Sequence, residues 1–211
     1  IALITAGLPF AALFLILDSG NTALSPVAAG LGTLSLMFAA FVLGSILSQA
    51  MWVWVSGRFG KTPALVSGLM CYIALLGIIY LSLPSLNVTL VAVLFLIAGM
   101  TNGAYQQIPW AMYPDLMDET RANSGEAIEG AFSAIWLFGQ KVANALAPSL
   151  LAVILSVYGW QETDQGVTEQ TPEAIGALQY AITLVPAGIL CLAVLGLLFV
   201  YKAPVHSCAG D

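Results

Sequence analysis

The sequence predicts an all-α integral membrane protein, a six-helix bundle, and three observations carry that expectation. Of the 211 residues, 60% are hydrophobic and 8% charged, and the mean hydropathy is +0.95. A soluble globule could not cover that much apolar surface. The charges gather in short segments between long charge-free runs. The length leaves room for about six helices of some 20 to 28 residues, each able to cross a hydrocarbon core. The net charge of -6 and the scatter of 5 Lys and Arg exclude a phosphate-binding face and nucleic acid as a partner. Cys71, Cys191 and Cys208 have neither CxxC nor metal-ligand spacing, so no metal site is expected.

The first span covers residues 1–17, charge-free and interrupted by Pro9. As a helix it reaches about 26 Å, slightly short of a bilayer core. The chain opens inside this apolar run with no Met, basic n-region or cleavage pattern, so part of the span is expected to precede Ile1. Asp18 to Pro26 make the first break, and residues 27–56 form the second span. Ser45, Ser48, Gln49 and Trp52 share one face of it, suited to interhelical hydrogen bonding or to a cavity lining. SGRFGKTP, Ser56 to Pro63, is a tight basic connection in which Gly60 permits a turn and Pro63 suits a first helical turn. The third span is residues 62–83 and the fourth 88–112, separated at Leu83 to Asn87. Gly99 and Gly103, four apart, allow close helix approach.

The fourth span ends with Asn102, Tyr105, Gln106, Gln107 and Trp110. Adjacent glutamines cannot both face lipid, so this stretch lines a cavity or bonds to a neighbouring helix. Tyr113 to Glu126 is expected to be a solvated connection, with Asn123 or Ser124 capping the fifth helix and Glu126 in its first turn. The fifth span, 128–157, carries a polar stripe: Ser133, Trp136, Gln140 with Lys141, Asn144 and Pro148. A lysine at membrane depth costs about 3 kcal/mol on insertion scales, so Lys141 should find a charge partner or a polar cavity. The acidic loop Gly159 to Glu173 leads to the sixth span, 174–201, followed by Lys202 and a tail, 204–211. Arg58, Lys61, Arg121 and Lys202 fall on one side, which places both ends in the cytoplasm.

In order, the segments GRFGK, PWAMYPDLMDE, FGQK with Lys141, YGW, TPEAIGALQYAITLVPA and YKAP resemble the C-terminal half of the glycoside-pentoside-hexuronide:cation symporters of the major facilitator superfamily. The likeness runs from about Gly44 to Pro204. It implies a twelve-helix carrier in a plasma or inner membrane, with residues 1–203 as one half. Its N-terminal six-helix half would be the partner, and the two would rock about a midplane site. The resemblance further implies symport of a sugar or glycoside with Na+ or H+, whose main ligands would lie in the N-terminal half, and no other cofactor. Lys141, Gln140, Trp136, Gln106, Tyr105 and Asn144 would then bind substrate. Asp115, Asp118, Arg121, Arg58 and Lys61 would form a cytoplasmic gate. Family members carry a basic run before the eleventh helix, where this chain has GEAIEG with Ala127 at the arginine position; Arg121 would supply the closing charge.

Two other readings stand beside it. A carrier of lipid-like or other organic solutes would need an apolar pocket, whereas a sugar carrier needs amides and aromatic faces. A non-transporting sensor would bind without flux. An enzyme is not expected: the single histidine, His206, lies in the tail, HExxH and GxSxG are absent, and no Asp or Glu lies inside a span.

Overall fold

The structure, a computed structural model, describes residues 3–4, 6–7, 10–11, 25–83, 88–124, 129–161 and 170–199. The described residues are helical apart from short connections. In order the helices are α1 (Ser25–Phe59), α2 (Lys61–Ser82), α3 (Val88–Ser124), α4 (Glu129–Val157) and α5 (Pro172–Phe199). Among the described residues, five helices are long and apolar enough to cross a membrane. The expected first span is helical at its described residues, among them Leu3, Ala6 and Ala11. Pro9, Glu126 and the tail 204–211 lie outside the described residues.

The helix limits follow local chemistry. A positive φ of 75° at Gly32 kinks α1, and its apolar part is Ser35–Phe59. Gly60, with φ 91° and ψ 155°, turns the chain in one residue between α1 and α2, a backbone shape that disfavours any side chain. The Thr171 hydroxyl accepts the Ala174 amide at 3.2 Å, so Thr171 caps α5 and Pro172 occupies its first position.

One expectation needs correction. The segment after Tyr113 is not a loop: α3 continues through Pro109 and Pro114 to Ser124, 37 residues in all. Asn123 and Ser124 therefore end α3 and do not cap α4. A helix of that length reaches about 55 Å, against a hydrocarbon core of about 30 Å. Its acidic end projects beyond the core, where a helix needs no apolar residues.

Small residues bring α1, α2 and α3 together. A Cβ on Gly44 would collide with the Leu96 carbonyl, one on Gly99 with the Phe41 carbonyl, and one on Gly103 with the Ser48 hydroxyl. Gly68 of α2 meets Ala104 and the Trp52 ring in the same way. The Trp52 indole donates to the Met100 carbonyl at 2.7 Å, so of the two uses open to this face Trp52 serves interhelical bonding; Ser48 is buried and Gln49 exposed. A core of Trp52, Leu65, Leu69, Ala104, Ile108 and Val194 fills the space between these helices and α5. The Gln179 amide of α5 donates to the Leu83 carbonyl at 2.9 Å and also to that of Tyr80, closing the end of α2.

On the far side, α4 packs mainly on α5 and on the N-terminal residues, through Leu3, Ala147, Leu151, Leu155, Leu178 and Ile182. The connection between α4 and α5 is tied at its base. The Gln161 amide donates to Gln170 Oε1 at 3.0 Å, and Gln170 Nε2 donates to the Gln161 carbonyl at 2.9 Å. Beside it the rings of Phe10 and Trp160 meet edge to face, 5.6 Å apart.

Candidate functional site

Between the N-terminal residues, α3, α4 and α5 lies an open cavity of about 900 Å³. Tyr105 and Gln106 of α3 and Gln140 and Asn144 of α4 supply its polar lining, and Leu3, Leu146, Leu150, Ile189, Leu190 and small residues supply its apolar walls. Pro148 and Pro186 also face it. Proline has no N–H for the carbonyl four residues earlier, so the Asn144 and Ile182 carbonyls lose their helical donors at this level. The arrangement offers two amides, a phenol and a third amide one helical turn away, beside an oily wall. Such a lining can hydrogen-bond a hydroxyl-bearing group while burying an apolar one.

Four of the six residues expected from sequence to bind substrate therefore line one cavity, and two do not. Lys141 is exposed on α4 directly after Gln140 but is not part of the lining. Trp136 instead joins a ring cluster with Trp110, at 5.7 Å, and Tyr113, at 6.1 Å. The Tyr113 and Ser133 hydroxyls share a hydrogen bond of 2.6 Å, so α3 and α4 are bridged here by side chains. The Trp136 indole nitrogen is buried without a partner, as is Gln107 Oε1. The stripe on α4 thus divides: Ser133 and Trp136 reach toward α3, while Gln140, Asn144 and Pro148 line the cavity. Asn102, noticed in the polar end of the fourth span but not assigned to the site, is 1% exposed, and both atoms of its amide are unpartnered.

At the projecting end of α3 the charges are partly paired. Lys61 Nζ meets Asp115 Oδ2 at 2.5 Å and donates to the Ala111 carbonyl at 2.9 Å. Lys61 stands in the first turn of α2, where the helix dipole disfavours a cation, and the Asp115 carboxylate offsets that. Arg58 lies in the last turn of α1 and Arg121 in the last turn of α3, both exposed; Arg121 is not without a partner. Asp118 is exposed. The pairing of Lys61 with Asp115 spans 54 positions and had no local signal in the sequence. Among the described residues there is no group of His, Cys, Asp and Glu that could hold a metal ion.

Comparison with known proteins adds a second line of argument. Residues 26–204 match a family profile described as MFS/sugar transport protein. The chain is 26% identical over 165 residues to a sphingosine-1-phosphate transporter of Mus musculus, covering 77% of this chain and 31% of that protein. It is 24% identical over 168 residues to the sodium-dependent lysophosphatidylcholine symporter 1-A of Danio rerio, covering 78% and 30%. It is 29% identical over 153 residues to the glucuronide carrier protein homolog of Escherichia coli (strain K12), covering 72% and 32%. The chain thus spans about a third of the length of these curated relatives.

Proposed function

The chain belongs to the MFS/sugar transport protein family and is an integral, multi-pass membrane protein, and from that premise we propose that it forms part of a cation-coupled symporter for a glycoside. The observation that carries the reading is the convergence of Tyr105, Gln106, Gln140 and Asn144 on one cavity. Sugar hydroxyls both donate and accept, and side-chain amides match them in both senses. Tyr105 is 42% exposed, and its ring offers a face to a pyranose. The apolar walls suit an aglycone. In this reading a further half of the carrier closes the open side of the cavity and supplies the main ligands for Na+ or H+. Lys141, the residue after Gln140 in α4, balances the carboxylates of that cation site. Lys61, Asp115, Arg58, Asp118 and Arg121 form the cytoplasmic gate, and transport proceeds by alternating access.

A second reading, an amphipathic lipid as solute, is favoured by the breadth of the apolar wall from Leu3 to Leu150 and Ile189. The two relatives named for lipid substrates support it. The deciding experiment reconstitutes the transporter that carries this chain in liposomes and follows a labelled glucuronide and lysophosphatidylcholine under imposed Na+ or proton gradients. The first reading expects saturable, gradient-driven glucuronide accumulation. Accumulation of lysophosphatidylcholine alone selects the second. Binding without flux of either would replace transport with a sensor role.

A further inference from the structure

We propose that Asn102 is a further recognition residue of the cavity, its amide reserved for a hydroxyl of the carried solute. The inference rests on the carrier reading above but on a separate observation. Asn102 is 1% exposed, and neither its Nδ2 nor its Oδ1 has a partner. In a membrane helix such an amide has no bulk water to fall back on, and a buried polar group left unpaired opposes the state that contains it.

Its position says where a partner would come from. Steps of three and four along α3 put Tyr105 and Gln106 on the two flanks of the Asn102 face, and both line the cavity. One turn earlier, Ala98 is packed with Ala187, and Ile4 and Leu190 lie against the same cluster. Leu190 belongs both to that packed cluster and to the cavity wall. Asn102 is not itself a lining residue; it lies one turn behind Tyr105 and Gln106, which are, and one turn ahead of Ala98 in the dry cluster. Beside it on α3, the space over Gly99 is taken by the Phe41 backbone and that over Gly103 by the Ser48 hydroxyl, which is already committed to the Ser45 carbonyl at 3.1 Å. A group with one donor and one acceptor, such as an alcohol, satisfies both atoms of the amide at once.

Asn102→Leu, close to isosteric, removes the amide without opening a void. In the reconstituted transporter, labelled glucuronide uptake by this variant should show a KM raised about tenfold, the size expected for one lost neutral hydrogen-bonding group, with maximal flux little changed. Asn102→Thr, which keeps a donor and an acceptor, should lie closer to wild type. The melting temperature of solubilised Asn102→Leu without solute should be no lower than that of wild type, and the added stabilisation by glucuronide should shrink. An unchanged KM would overturn the proposal, because the amide would then serve only water. A clear fall in melting temperature without solute would also overturn it, by exposing a structural partner. Failure of the wild-type transporter to accumulate glucuronide would overturn the glycoside reading itself, and the solute role of Asn102 with it.

Discussion

Lys141 stands beside Gln140 on an exposed stretch of α4, and at membrane depth its ammonium carries a cost. On insertion scales that cost is about 3 kcal/mol, so Lys141→Ala should insert at least as well as wild type. Concentrative uptake by the same variant should be lost. Expression level and vesicle uptake measured together check both halves, and uptake at the wild-type rate would remove Lys141 from the transport site. The Lys61 and Asp115 pair asks for a smaller effect. With the side chains 40% and 32% exposed, Lys61→Ala should cost no more than about 1 kcal/mol of stability. A double-mutant cycle with Asp115→Ala measures it, and a coupling near zero would mean that the pair holds nothing shut. The polar residues of the site were legible in the sequence because amides and a lysine are rare in an apolar helix. Their distribution was not. Whether Trp136 turns to a cavity or to Trp110 and Tyr113 depends on the rotation of α3, which the periodicity of α4 does not contain.

Among the elements, α1 and α3 are joined by contacts that leave no room for a side chain. Gly99→Val would drive two methyl groups into the Phe41 backbone, which cannot yield as a flexible side chain can. A loss of about 1 to 3 kcal/mol or more is expected. Gly77 of α2 has nothing within 4 Å of a built Cβ, so Gly77→Ala should raise stability by about 0.5 to 1 kcal/mol through helix propensity. Thermal unfolding of the two variants in detergent provides the comparison, and equal melting temperatures would contradict the packing described. The spacing of Gly99 and Gly103 pointed to this approach. Hydropathy misplaced the end of α3 because it registers depth in the membrane rather than helicity. Asp115, Asp118 and Glu119 leave the oil while the backbone hydrogen bonds run on to Ser124.

For the molecule as a whole, the basic residues predict a cytoplasmic α1 to α2 turn and an external α4 to α5 connection. In a background with Cys71, Cys191 and Cys208 replaced by serine, Phe59→Cys should react with an impermeant maleimide only after the membrane is opened. Gln161→Cys should react in intact cells. The opposite pattern would invert the orientation of the chain and the direction assigned to its gate. The amide tie between Gln161 and Gln170 has a practical consequence. Because the two ends of that connection are pinned to each other, whatever lies between them can grow without pulling on α4 or α5, and lengthening a closed loop adds only a slowly rising entropic term. A compact soluble domain whose own termini lie close together could be grafted there as a rigid marker, giving these membrane-embedded helices added mass and asymmetry for single-particle imaging.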